Sequence, residues 1–315
     1  MRLNIVILDR ETLGRDLDIE PLRKLGDVIE YANTLPSETR DRIKDAHIVI
    51  SNKVVLDKDT MQHSKNLRLI CIAATGMNNV DLEGAKELGI EVKNVTNYST
   101  NSVVQHTFAM LFYLLEHLKY YDNVVSSQLW TISGLFTDLS RPFFEISGKK
   151  WGIIGLGTIG LEVAKVATSF GAEVSYFSTS GLNQNSTYTK KELEELLKSS
   201  DIISIHAPLN ENTLNLINDT NLPLLKDKAI LLNLGRGGII NETDLAYELN
   251  RREIYAGLDV LSTEPIELDN PLMSIEHKDR LLITPHIAWT SVEARERLLS
   301  TIVEHIKEFK KEVQW

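Results

Sequence analysis

The chain has 315 residues, of which 43% are hydrophobic and 25% are charged, and its formal net charge is −10. A chain of this length predicts about two domains of ~150 residues each. Nucleic acids and anionic membrane surfaces both require a basic face on the protein, so the negative charge argues against both partners. The single cysteine, Cys71, excludes a disulfide framework and a cysteine-based zinc site. No membrane-length apolar run and no signal peptide are found, and we expect a cytoplasmic protein.

Residues 1–98 alternate short apolar runs with helical or loop segments. The strands predicted there are Asn4–Leu8, Val28–Tyr31, His47–Ser51, Leu69–Ala73 and Glu91–Asn94. This alternation predicts a parallel sheet covered by helices on both faces. A long helix follows, in which Val104, Phe108, Leu111 and Leu115 recur at helical spacing. Because its other faces are also largely apolar, this helix should be buried or lie at a subunit interface.

A second series of strands and helices runs from about residue 150 to residue 284. Its predicted strands are Lys150–Ile154, Glu173–Phe177, Ile202–His206, Ala229–Asn233, Tyr255–Leu258 and Leu281–Thr284. Thr189 with Glu192, and Asn241 by itself, are typical of residues that cap the start of a helix. A last helix, Ser291–Lys311, should pack on the first domain. We therefore expect one domain at residues 1–98, completed by 290–315, and a second, doubly wound domain at 99–289.

The most informative pattern is Gly155-x-Gly157-x-x-Gly160, which follows a predicted strand and opens a predicted helix. In a dinucleotide site the first glycine makes a tight turn and the second lets the backbone approach a pyrophosphate. The third lets the helix pack closely on the strand, and the helix N-terminus faces the anion. The pattern predicts a dinucleotide-binding site.

Polar side chains follow three later strands of the same series. Arg236 lies between glycines, Glu264 comes five residues after Asp259, and His286 follows a proline. Ligands of open α/β sheets bind at the carboxyl ends of the strands. We therefore expect these side chains to converge on one cleft.

With these motifs the chain resembles the D-isomer-specific 2-hydroxyacid dehydrogenases along essentially its whole length. The resemblance is carried by the glycine pattern and by the runs Asn233–Gly238, Asp259–Pro265 and Thr284–Trp289; residues 73–81 and 98–107 are most similar to glycerate dehydrogenases, also called hydroxypyruvate reductases. It implies an α/β fold in which a Rossmann NAD(P)-binding domain is inserted into a flavodoxin-like substrate domain. It also implies hydride transfer between NAD(P) and a small D-2-hydroxy acid, with hydroxypyruvate or glyoxylate as the 2-oxo acid.

Within that cleft, three side chains carry the predicted catalytic roles. Arg236 presents a planar fork that suits a substrate carboxylate and can reach the carbonyl oxygen. His286 is the acid/base, because histidine titrates near working pH. Glu264 would hydrogen-bond His286, orient it and favour its protonated form. Closure of the two domains would then exclude water.

The resemblance also implies the binding residues, and no metal is expected. The cofactor-binding residues are Gly155, Gly157, Thr158, Ile159, Gly160, Ser178, Thr179, Ala207, Pro208, Thr213, Leu234, Gly235, Arg236, Asp259, His286 and Ala288. The substrate-binding residues are Asn52, Lys53, Thr75, Gly76 and Arg236. Asp259 is expected to meet the nicotinamide carboxamide. Family members are usually dimers through the long helix and the loop with Trp130 and Phe136, so we expect a homodimer.

One departure from the family pattern concerns the cofactor. NAD-binding members carry an acidic residue about 20 residues past the glycines; here that place reads Tyr176-Phe177-Ser178-Thr179-Ser180. With neither carboxylate nor arginine there, we expect NAD or NADP as the cofactor, with NADP tolerated or preferred.

Two other functions stay open at this point. One is phosphoglycerate dehydrogenase, although only Lys53 offers a cation for a substrate phosphate. The other is a dinucleotide-sensing protein-binding module, although no long extra segments are found.

Overall fold

The computed structural model describes residues 2–312 and separates into two compact units. The first unit consists of the described residues up to Ser99 together with residues 290–312, and the second unit is Thr100–Trp289. Within the described residues, no helix is both long enough and apolar enough to cross a membrane.

The first unit is built on a five-stranded sheet in which every pairing is parallel. Its strands are β1 (Leu3–Ile7), β2 (Gly26–Glu30), β3 (Ile48–Ser51), β4 (Leu69–Ile72) and β5 (Glu91–Asn94), in the order β2-β1-β3-β4-β5. All residues of β3 and β4 are buried, as expected for central parallel strands covered on both faces. The order is that of the flavodoxin-like fold and confirms the fold expected for this part of the chain.

Short helices connect these strands, and a long C-terminal helix completes the unit. The connecting helices are α1 (Glu20–Arg23), α2 (Thr39–Ile43), α3 (Lys58–Met61) and α4 (Leu82–Glu87), with 3₁₀ turns at Arg10–Leu13 and Pro36–Glu38. The C-terminal helix is Val292–Glu312. Its Arg295 pairs with both carboxylate oxygens of Asp16, at 2.7 and 2.8 Å, and Arg297 Nε donates to Tyr98 O at 2.9 Å.

The second unit is built on a seven-stranded, all-parallel sheet. Its strands are β6 (Lys150–Ile154), β7 (Glu173–Phe177), β8 (Thr189–Lys190), β9 (Ile202–Ile205), β10 (Ile230–Asn233), β11 (Tyr255–Leu258) and β12 (Leu281–Ile283), in the order β12-β11-β10-β9-β6-β7-β8. Counted from β6, this is the Rossmann order 3-2-1-4-5-6 extended by one strand. The two-residue strand β8 has no counterpart in the sequence prediction, because two polar residues carry no strand periodicity.

The helices of the second unit are α5 (Thr100–Leu115), α6 (Leu118–Ser126), α7 (Leu129–Ser133), α8 (Thr158–Ser169), α9 (Leu193–Ser199) and α10 (Glu242–Arg251), with 3₁₀ turns at Leu222–Leu224, Pro271–Ser274 and Lys278–Arg280. Asn241 caps α10 as predicted, since its side chain accepts from the N–H groups of Thr243 and Asp244. The Thr189 cap is wrong: Thr189 lies in β8, and α9 begins at Leu193. The loop expected around Trp130 is instead α7.

Candidate active site and dinucleotide loop

The glycine-rich loop joins β6 to α8, and its three glycines meet three different steric demands. Gly155 has φ +90°, and a Cβ there would lie 2.9 Å from the Ala207 backbone. A Cβ at Gly160 would overlap Gly155 O. A Cβ at Gly157, the N-cap of α8, would meet nothing within 4 Å. The loop is therefore packed on its inner side and open in front of the helix N-terminus, which fits a dinucleotide pyrophosphate.

His286 and Glu264 form a hydrogen-bonded pair at the carboxyl ends of β12 and β11. His286 Nδ1 lies 2.7 Å from Glu264 Oε2, and the two side chains are 26% and 35% exposed. Glu264 Oε1 accepts a second hydrogen bond, from Leu261 N–H at 3.0 Å. The hydrogen bond expected between these two residues is present. It places the ring proton on Nδ1 and leaves Nε2 as the nitrogen that can exchange a proton with a substrate.

The turn that carries His286 is held by Asp259, which directly follows β11. The Asp259 carboxylate is buried and accepts from the Thr284 hydroxyl at 2.6 Å, and from the N–H groups of Ile287 and Ala288 at 2.9 Å each. His286 N–H donates to Asp259 O at 2.9 Å. His286 itself has φ +54°, a left-handed conformation that costs ~1–2 kcal/mol in a residue with a Cβ. These bonds oppose that cost, so Asp259 is the residue that orients the turn.

His106 on α5 contacts the same network from outside the turn. Its Nε2 lies 3.1 Å from Thr284 Oγ1 and 3.5 Å from Asp259 Oδ1. Burial lowers the pKa of His106, and the Asp259 carboxylate opposes that shift. Because the Thr284 hydroxyl donates to Asp259, it accepts from His106 Nε2–H. The contact with Thr284 spans 178 residues, so the sequence around His106 carries no local signal for it.

Arg236 lies in the turn that follows β10. The Asn233 side chain closes this turn, since it accepts from Gly235 N–H at 3.0 Å and donates to Arg236 O at 2.9 Å. A Cβ at Gly237 would overlap the backbone of Leu261, so the Arg236 turn lies directly against the segment that leads to Glu264. Because β10, β11 and β12 are neighbours in the sheet, the turns with Arg236, Glu264 and His286 are adjacent at one edge.

The other predicted cofactor residues of the second unit surround the glycine-rich loop and the adjacent strand ends. Ala207 packs against Gly155, and Leu234 and Ala288 are buried at strand ends. The Thr213 hydroxyl is buried and donates to Pro208 O at 2.7 Å, so its side chain holds the loop after β9. Among the described residues, no cluster of three histidine, cysteine, aspartate or glutamate side chains could hold a metal ion.

The predicted substrate residues of the first unit lie in the loops after β3 and β4. The buried Asp9 carboxylate accepts from Asn52 N–H at 2.9 Å and from Lys53 N–H at 2.7 Å. Burial raises the pKa of Asp9, and these backbone bonds oppose the shift. Thr75 Oγ1 donates to Val95 O at 3.0 Å. Sequence reasoning missed Asp9, although an aspartate directly after a buried strand was the available signal.

Comparison with known proteins gives consistent matches. The model of the protein family described as "D-isomer specific 2-hydroxyacid dehydrogenase, NAD binding domain" matches residues 108–288. A hydroxypyruvate reductase of Blautia hydrogenotrophica is 38% identical, covering 98% of this chain and 97% of that protein. A glycerate dehydrogenase of Methylorubrum extorquens is 35% identical, covering 98% and 96%.

A solved structure shows the same architecture. An acyclic imino acid reductase in complex with NADPH and D-Arg superimposes with a TM-score of 0.85 at 28% identity, covering 98% of both chains. The two sheet orders, the glycine-rich loop and the matches over nearly the full length agree with one another. This chain belongs to the D-isomer-specific 2-hydroxyacid dehydrogenase family and is an NAD(P)-dependent oxidoreductase that acts on CH–OH groups.

Proposed function

We propose that this enzyme reduces hydroxypyruvate or glyoxylate to the corresponding 2-hydroxy acid with NADH or NADPH. The observation that carries the proposal is the His286–Glu264 hydrogen bond of 2.7 Å, at the same sheet edge as Arg236. An imidazole, a carboxylate and a guanidinium are the groups needed to protonate a carbonyl oxygen and hold a carboxylate. The names of the two relatives in the comparison support the choice of substrate.

In the proposed mechanism each side chain has one task. The nicotinamide, when bound, supplies the hydride. Arg236 binds the substrate carboxylate and polarises the carbonyl oxygen. His286 donates the Nε2 proton to that oxygen in reduction and accepts it back in oxidation, while Glu264 holds Nδ1–H. In the proposal, Asn52, Lys53, Thr75 and Gly76 contribute further substrate contacts.

The loop geometry supports the proposed dinucleotide contacts. The open side of Gly157 and the N–H groups of Thr158 and Ile159 are proposed to hold the pyrophosphate at the start of α8. The Asp259 side chain already accepts three hydrogen bonds. Its contact with the nicotinamide carboxamide is therefore proposed in addition to its task in the turn, because a carboxylate has about four acceptor positions.

The decisive test is a substrate and cofactor panel with two variants. Hydroxypyruvate, glyoxylate, pyruvate and 3-phosphohydroxypyruvate are each supplied with NADH and with NADPH, and oxidation of the cofactor is followed by absorbance. We expect turnover with the first two acids, and we expect His286→Ala to lose about 10²–10⁴-fold in kcat. Arg236→Ala should lose both rate and substrate affinity, and His63→Ala, at an exposed histidine, serves as control.

Other outcomes of the panel would overturn the proposal. A marked preference for 3-phosphohydroxypyruvate would indicate a phosphoglycerate dehydrogenase. Cofactor binding without turnover of any 2-oxo acid would indicate a dinucleotide-sensing module. Near-normal turnover in His286→Ala would show that the assigned acid/base is wrong.

We further propose that the enzyme is a cytoplasmic homodimer. The segment after α5 exposes several large apolar side chains, among them Ile132, Phe136 and Leu139 at 78%, 91% and 81%. Contiguous exposed apolar surface marks an interaction site, and a second copy of the chain would cover it. Light scattering should give twice the chain mass for the wild type and the single mass for Phe136→Asp. A monomeric wild type would contradict this.

A further inference from the structure

We propose that Lys190 holds the 2′-phosphate of NADP(H) and so determines the cofactor preference of this enzyme. The inference rests on the proposed cofactor site and extends it to the adenosine ribose. The relevant segment is the turn Ser178–Asn183, which follows β7 at the place where Rossmann domains bind that ribose.

The turn is fastened to the glycine-rich loop. Asn183 Nδ2 donates to Leu156 O, which lies between Gly155 and Gly157. Asn183 O accepts from the Tyr176 hydroxyl at 3.3 Å, so Asn183 is also bonded to a side chain of β7. The turn therefore lies beside the loop assigned to the pyrophosphate, within reach of a ribose attached to it.

Hydroxyl groups line this turn, and no carboxylate does. Ser178 Oγ accepts from Asn183 N–H at 3.2 Å, and Ser180 Oγ accepts from Leu182 N–H at 3.3 Å. Ser178 is buried, whereas Ser180 is exposed; because the Ser180 hydroxyl is used there as an acceptor, its own hydrogen remains available to an anion. No aspartate or glutamate occurs from Ser178 through Lys191. Within this segment a phosphate dianion would thus meet hydrogen-bond donors and no carboxylate.

The fold brings a cation to this turn from the neighbouring strand. Lys190 on β8 pairs in parallel register with Tyr176 on β7. Its Nζ donates to Gly181 O at 3.1 Å and is exposed. Within residues 2–312 the Lys190 ammonium forms no ion pair with a carboxylate. An ammonium with one hydrogen bond has two further donors, and a lysine is a point charge suited to phosphate.

The next residue offers a matched control. Lys191 Nζ lies 3.2 Å from Glu195 Oε1 and 3.0 Å from Ser199 Oγ, so its charge is already paired with α9. The two lysines are adjacent in sequence and equal in charge, but Lys190 contacts the turn after β7 and Lys191 contacts α9. Substituting each to alanine separates a local contact from the general effect of removing one positive charge from a protein of net charge −10.

The test measures binding of the nucleotides, not activity alone. Dissociation constants of NADPH, NADH, 2′,5′-ADP and 5′-AMP are determined by calorimetry for wild type, Lys190→Ala, Lys190→Arg and Lys191→Ala. We expect Lys190→Ala to raise the Kd of NADPH and 2′,5′-ADP by about 10- to 100-fold, the range of one charge-assisted hydrogen bond. In Lys190→Ala the Kd of NADH and of 5′-AMP should stay within about twofold of the wild-type value. Lys190→Arg should retain NADPH binding. Lys191→Ala should leave the Kd of all four nucleotides unchanged.

Three results would overturn the inference. Lys190→Ala could weaken NADPH and NADH equally, which would show that Lys190 only ties the turn together. Lys191→Ala could weaken NADPH binding as much as Lys190→Ala does, or the wild type could bind NADH at least 100-fold more tightly than NADPH. If 2-oxo acids are reduced with NADH in any of these cases, the proposed function survives and only the role of Lys190 fails.

Discussion

Replacing Glu264 by glutamine should impair catalysis through the protonation of His286, at nearly constant side-chain volume. Glu264 accepts two hydrogen bonds at once, from Leu261 N–H at 3.0 Å and from His286 Nδ1 at 2.7 Å. A carboxylate can accept on both oxygens, whereas an amide has one accepting oxygen and one donating NH₂. In the variant the NH₂ group therefore faces either the Leu261 N–H or His286 Nδ1.

Both arrangements remove a charge-assisted hydrogen bond. If the NH₂ group faces Leu261, two donors meet and the backbone N–H is left unpaired. If it faces His286, it donates to Nδ1, the ring proton moves to Nε2, and neutral His286 can no longer accept a proton there. Losing this hydrogen bond weakens the stabilisation of the transition state by ~1.5–3 kcal/mol, which corresponds to about a 10- to 150-fold fall in kcat/KM. Because the Glu264 side chain is 35% exposed, solvent screening favours the lower part of that range.

The assay is steady-state kinetics in both directions across a range of pH, together with a direct titration of the cofactor. Because the equilibrium constant of the reaction does not depend on the enzyme, kcat/KM should fall by the same factor for oxidation and for reduction at a given pH, with the Kd of the cofactor unchanged. Glu267→Gln, at an exposed glutamate of the same segment, is the control. Wild-type kcat/KM in both directions, or an equal loss in the control, would refute the reasoning.

Three further predictions concern stability. Gly160→Ala should lower the free energy of unfolding by about 1–3 kcal/mol because its Cβ would overlap backbone, whereas Gly157→Ala should keep stability but raise the Kd of the cofactor; urea denaturation and cofactor titration separate the two. Burial lowers the pKa of His206 to about 3 from its ordinary value of 6.5, and both ring nitrogens are buried without a hydrogen-bond partner. The unfolded chain therefore binds a proton below pH 6.5 that the folded protein does not, so between pH 7 and pH 5 the wild type should lose about 2 kcal/mol more stability than His206→Phe; equal losses would contradict this. Asp259→Asn should cost about 2–4 kcal/mol in denaturant unfolding, because an amide NH₂ would face Ala288 N–H; wild-type stability would count against that assignment.

Local patterning predicted most of the sheet architecture from the sequence. Buried parallel strands are continuous apolar runs, and β5, β6, β7 and β11 begin and end at the predicted residues. The glycine spacing of the loop at 155–160 was also readable, because each glycine meets a steric demand set by a few neighbouring residues. Strand β8 was missed, since its two polar residues pair only because β7 lies beside them.

The supporting contacts of the site were decided by the tertiary structure. The Asp259 carboxylate reaches donors 25 to 29 residues away, and Asp9 reaches Asn52 and Lys53 across 43 and 44 residues. Lys190 reaches the Ser178–Asn183 turn only through the register of β8 on β7. None of these partners can be inferred from spacing along the chain, because sheet pairing sets which residues meet.

The sequence by itself determined the order of strands and helices, the glycine-rich loop and the identity of the chemical groups at the strand ends. These features depend on residue type and periodicity within about ten positions, and the chain carries that information locally. Which oxygen of Glu264 faces His286, and which lysine approaches the turn after β7, were decided only when distant strands were placed side by side. Hydrogen bonding depends on distances of a few ångströms between such segments, and only the folded structure defines those distances.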